Sequence, residues 1–213
     1  MDYRKFSGFP DLYPEDIPGT SQWFYGHHAS CSAYEVPEYK GNYEGTRLYI
    51  FNINGKVYEP FRQEKNVYLN PPVYSRERES FGILRFDFNK ESIQAFEYAP
   101  EPEKLSLLIE LPMSRFDDLD NILMVKEPFT VIKYSDNLDV IHFLWPCERS
   151  YRLEGHESLH FIDGDILITS KWYEDPDYRE EVIFRSAATG EVLERHAGYI
   201  IEMPNGEKWF MTD

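Results

Sequence analysis

The sequence predicts an all-β protein built from antiparallel hairpin repeats in a propeller-like series, with a β-sandwich or barrel as the alternative architecture. Three observations lead there. The stretch from Glu181 to Arg195 reads as strand, tight turn, strand: Val182, Ile183 and Phe184 favour extended backbone, Thr189-Gly190 supplies a turn, and Val192-Leu193 resumes the strand. Looser relatives lie upstream at Arg47 to Tyr58, Ile83 to Phe96 and Phe129 to Phe143, with turn centres near Asn54, Asn89, Asp136 and Thr189 spaced 35, 47 and 53 residues apart. Those spacings bracket the roughly 40 to 50 residues of a four-stranded blade. Aromatic residues make up 16% of the chain, and their rings pair well across strand ladders.

Thr189-Gly190-Glu191-Val192 between two apolar strands resembles the outer hairpin of a blade in quinoprotein-type and other degenerate β-propellers, and Asn54-Gly55-Lys56-Val57 is similar. The resemblance covers the four hairpins and implies a propeller fold. It carries over no cofactor site, and Glu194 and Arg195 stand where such blades place a tryptophan shortly after the turn.

The elements follow in order. Residues 1–22 form a Pro-rich segment whose Pro10, Pro14 and Pro18 forbid a regular helix or central strand, so an extended N-terminal arm is expected, with Phe9, Leu12, Tyr13 and Ile17 laid over the domain. Trp23 to Tyr25 reads as a short strand, of the kind that completes a blade begun at the other terminus. His27, His28 and Cys31 are metal ligands by type, but adjacent histidines on a strand point to opposite faces, and a surface loop is the simpler reading. In the Arg47 hairpin, Leu48 and Ile50 occupy one face and Tyr49, Phe51 and Ile53 the other, so both faces should be covered. A strand is expected over 66–69, broken by Pro71-Pro72.

Ala99-Pro-Glu-Pro-Glu103 reads as a linker before the strand Leu105 to Leu111, and is the best boundary candidate in a chain otherwise read as one β-rich domain over 1–213. Residues 114–120 suit a single helical turn, and 121–126 with 129–145 suit three strands. Asp175 to Glu180 is a polar loop, and Tyr199 to Met211 a last hairpin on Asn205-Gly206.

Charge bounds the partners. With 22 Lys and Arg against 38 Asp and Glu, the formal charge is −16, spread along the chain, which disfavours nucleic acid and suits a solvated surface or a basic partner. Two cysteines, Cys31 and Cys147, point to a reducing compartment, although one bridge between them stays open. Neither a signal-peptide core nor a run of 18 apolar residues is present, so no membrane partner and a cytoplasmic location are expected.

One literal catalytic motif occurs, His156-Glu157-Ser158-Leu159-His160. On a helix His156 and His160 would hold zinc while Glu157 activated a water, with a third ligand from Glu174, Glu180 or Glu181. The surroundings favour a strand: Gly155 precedes the motif, Asp163-Gly164 closes it, and Glu154 adds charge beside it. On a strand the two imidazoles lie on the order of 13 Å apart. The sequence therefore favours a binding module that recognises a protein or small polar ligand through Tyr- and Trp-rich loops, without a cofactor. A zinc-dependent hydrolase is the alternative.

Overall fold

The computed structural model describes residues 11–212. Its contacts divide the chain into two compact units, one ending at Leu119 and one beginning at Asp120. Both are antiparallel β-structures, and the helical residues among those described are confined to two 3-10 segments, Ala33–Tyr39 and Met113–Arg115.

In the first unit β1 (Pro14–Asp16), β2 (Trp23–His28), β3 (Arg47–Asn52) and β4 (Val57–Tyr58) form a four-stranded meander in chain order. A second sheet contains β5 (Val67–Leu69), β6 (Val73–Ser75), β7 (Ser80–Asp87), β8 (Ser92–Pro100) and β9 (Glu103–Pro112), ordered β5-β7-β8-β9. The short β6 pairs with the start of β7 while β5 pairs with its end, so Pro71-Pro72 divides one edge position between two strands. Leu48 and Ile50 of the first sheet pack with Val67, Leu69, Phe81, Ile83 and Tyr98 of the second in one core, which Ile17 also enters. The opposite face of β3 is covered too, since Phe51 is buried and stacks on Phe24 with ring centroids 5.5 Å apart.

Several expectations are corrected here. The Pro-rich 99–103 stretch is not a linker: Ala99 pairs with Lys104 and Pro100 with Glu103, so it is the turn of the β8–β9 hairpin. Trp23 to Tyr25 lies inside its own meander, bonded to β1 and β3, and is not a closing strand. Of the arm, Ile17 is buried and Leu12 lies against Gly26, but Tyr13 is 90% exposed; Phe9 lies outside the described residues. Pro14 to Asp16 is a strand because the edge of β2 offers it partners.

The second unit repeats the meander twice. β10 (Ile122–Lys126), β11 (Phe129–Tyr134), β12 (Val140–Trp145) and β13 (Arg149–Arg152) form a third sheet, and β14 (Glu157–Asp163), β15 (Ile166–Tyr173), β16 (Arg179–Ser186) and β17 (Val192–Ala197) a fourth. A fifth is the hairpin of β18 (Tyr199–Glu202) and β19 (Lys208–Met211). Four antiparallel strands in chain order are the unit of a propeller blade, and no sheet closes into a barrel among the described residues.

Sheet alternation explains how these layers meet. Register places Leu167 and Ile183 on one face of the fourth sheet and Ile168, Val182 and Phe184 on the other. Leu167, with Ile162, joins Ile132, Tyr134, Ile141 and Phe143 of the third sheet in one core. Phe161, Ile168 and Val182 form another with Phe184 and Ile200 of the terminal hairpin.

The Thr189-Gly190 turn is pressed against β13. Tyr151 donates its hydroxyl to the Ala187 carbonyl, and a side chain at Gly190, whose φ is +76°, would meet the Tyr151 ring at 2.3 Å. Only glycine meets both demands.

Candidate functional site

The motif residues occupy a strand start. Glu157 opens β14, His160 sits at an irregularity between Leu159 and Phe161, and the helix that a zincin-type site needs is absent from this segment. Glu157 is 3% exposed and both its oxygens are engaged. Arg185 donates from Nε to Oε1 and from Nη2 to Oε2, each at 2.6 Å; Thr169 Oγ1 also donates to Oε1, and the Glu154 amide donates to Oε2 at 2.9 Å. The third guanidinium nitrogen donates to the Gly190 carbonyl at 2.8 Å. A buried carboxylate gripped in this way is a structural anchor, since its lone pairs are spent on fixed donors. It is poorly placed to activate a water.

The two histidines face different surroundings. His160 Nε2 lies 2.6 Å from Ser170 Oγ, whereas the His156 ring lies over Trp172 with centroids 4.1 Å apart. His27 and His28 also diverge: His27 Nε2 donates to the Leu69 carbonyl at 2.8 Å, while His28 is exposed. Among the described residues no three of His, Cys, Asp and Glu converge as a metal ion would require. Cys31 is partly buried, Cys147 exposed, and both are free thiols.

Around His156 the chain builds an open cleft of about 420 Å³, lined by His156, Lys171, Trp172, Tyr173, Glu174 and Asp175. Its aromatic wall comes from the end of β15, where the strand leaves the core and Trp172 is 36% exposed. His156 holds its ring on that indole from a left-handed backbone at φ +64°, an uncommon conformation for a non-glycine residue. Beside it the Tyr173 ring carries two cations, Arg179 Cζ at 4.3 Å and Lys171 Nζ at 4.7 Å from its centroid.

A charge ladder borders the cleft. Glu154 accepts from Arg195 and, at 2.9 Å, from Lys171, and Arg195 also reaches Glu181. The hydrogen bonds from Arg195 and Lys171 hold the Glu154 carboxyl down at about 2, and the same contact with Glu154 raises Lys171. Those four charges balance. Glu174, Asp175 and Asp177 are exposed and have no ion-pair partner among the described residues. The rim therefore carries surplus negative charge.

Sequence reasoning singled out Glu174, Glu180 and Glu181 only as third zinc ligands. Glu181 belongs to the ladder, Glu180 accepts from the Tyr178 hydroxyl, and Glu174 lines the cleft. Trp172 was legible only as a strand aromatic. The signal that marks it is position: the last outward residue of a strand, followed by Glu174-Asp175-Pro176-Asp177.

No protein-family model matches this sequence, and no curated protein matches it. Among solved structures, a chain of the mitotic checkpoint complex is similar at 11% identity and a TM-score of 0.45, over 95% of this chain and 60% of that one. Prolyl oligopeptidase B from Galerina marginata, a mutant bound to a 35mer hydrolysis and macrocyclization substrate, is similar at 10% identity and a TM-score of 0.46, over 92% of this chain and 30% of that one. The chain thus spans less than two thirds of the length of either. No helix among the described residues is long and apolar enough to cross a membrane.

Proposed function

We propose that this protein is an acidic binding module that takes a protein or small polar ligand at the Trp172 cleft. The observation that carries the reading is the exposed Trp172 indole, held by a strained His156 in an open cleft beside carboxylates that have no ion-pair partner among the described residues. Aromatic surface with a few fixed polar groups is what recognition sites commonly offer. Glu157, the one acid–base candidate of the motif, is committed to Arg185, so the hydrolase alternative lacks its working group.

The test is a titration of the folded protein with hexapeptide pools of defined composition, reading the indole Nε1–H resonance of Trp172, assigned by its loss in Trp172→Phe. At least one pool should shift that resonance saturably. If no pool moves it at millimolar concentration, binding at this cleft is ruled out.

A further inference from the structure

We infer that the ligand of this cleft is an arginine side chain on a basic polypeptide segment, an assignment that rests on the binding-module reading. The cleft offers a plane and a charge together. The His156 ring meets Trp172 at a tilt of 41° with centroids 4.1 Å apart, and Trp172 still keeps 36% of its surface open, so a flat group has aromatic surface to lie on. A guanidinium is such a group: planar, permanently charged, weakly hydrated and able to lie on an aromatic face while its edge donates to carboxylates.

The site already displays this chemistry. Arg179 lies over Tyr173 at 4.3 Å within the same strand pair, so aromatic rings at this end of the sheet hold cations. The charge balance selects the same ligand. Lys171 is the one lysine or arginine lining the cleft, and Glu154 takes it at 2.9 Å, whereas Glu174 and Asp175 line the cleft with no ion-pair partner among the described residues. An anionic ligand would meet those two carboxylates and Asp177 against an already neutralised lysine. A cation meets three carboxylates with Arg179 over Tyr173 as the one neighbouring positive charge, among the described residues, not already taken by the ladder, and the net charge of −16 accelerates its approach.

The experiment uses the whole chain and four peptides, acetyl-(Gly-Xaa)3-amide with Xaa as Arg, Lys, Gln or Glu, read at the Trp172 Nε1–H resonance. The Arg peptide should shift it saturably, with the Lys peptide at least threefold weaker and the Gln and Glu peptides inactive. Trp172→Ala, followed at other cleft resonances, should weaken the Arg peptide at least fivefold. Glu174→Gln with Asp175→Asn should weaken it more than Asp163→Asn with Asp165→Asn, which removes the same charge at the opposite end of the β14–β15 hairpin. Equal losses from the two double variants would make the attraction diffuse and overturn the assignment. So would Arg binding indifferent to Trp172→Ala, Lys binding as tight as Arg, or no Arg binding. If instead Gln or Glu peptides shift Trp172 while Arg does not, the arginine assignment falls and the binding-module reading stands.

Discussion

Arg185 on β16 grips Glu157 on β14 through two parallel hydrogen bonds of 2.6 Å, across the intervening β15, whose Thr169 donates to the same carboxylate. Both charges are buried, and each satisfies the other. The pair ties the first strand of the fourth sheet to the third and fixes the Gly190 turn through Arg185 Nη1.

Removing one partner leaves the other charge buried without compensation, a loss that commonly reaches about 3–5 kcal/mol. Glu157→Gln and Arg185→Met should each destabilise the protein on that scale in urea unfolding. A carboxylate at an exposed strand end would limit the effect to about 0.5 kcal/mol. A midpoint unchanged by either substitution would contradict the buried pair.

His27 gives a pH dependence with a definite sign. Burial lowers its pKa from the ordinary value, and the bond to the Leu69 carbonyl offsets this only in part. The fold therefore favours the neutral ring. Its contribution is present above about pH 6.5 and is lost as pH falls through the lowered folded value. A proton NMR titration of the His27 ring should give a midpoint below 6.5, and one above it would reverse the sign.

Gly190→Ala should cost about 2–5 kcal/mol, combining a left-handed backbone with overpacking against Tyr151. The variant that relieves the clash, Gly190→Ala with Tyr151→Ala, should lose less than the sum of the two single changes. Strict additivity in thermal unfolding would show that the turn and the ring do not meet.

Duplex DNA of generic sequence should not bind at physiological salt, since the chain carries a formal charge of −16. A fluorescence-anisotropy titration checks this, and micromolar, salt-sensitive binding would count against the acidic-module reading.

The hairpins were legible because their evidence is local. Asn54-Gly55, Asp163-Gly164 and Asn205-Gly206 mark turns between apolar runs, and the structure places strands on both sides of each. What escaped depends on partners distant in sequence. β13 is Arg-Ser-Tyr-Arg, with only Tyr151 buried, and nothing in four mostly polar residues announces a strand until β12 offers its edge. Ala99 to Glu103 has linker composition, yet long apolar runs on either side pair through it. The site was less legible still. Glu157 and Arg185 are 28 residues apart, and their meeting requires the register of three strands. Trp172 looks like a core aromatic until β15 is seen to run past the core.

The fourth sheet supplies side chains to two cores among the described residues, Ile162 and Leu167 to one and Phe161, Ile168 and Val182 to the other. Amide protons on β15 and β16 are therefore shielded by two layers whose loosening must coincide before deuterium can enter. The β18–β19 hairpin rests on one layer and turns Tyr199, Ile201, Trp209 and Met211 outward. Its amides should label first, by local opening, while the centre of the fourth sheet keeps its protons until the whole unit unfolds.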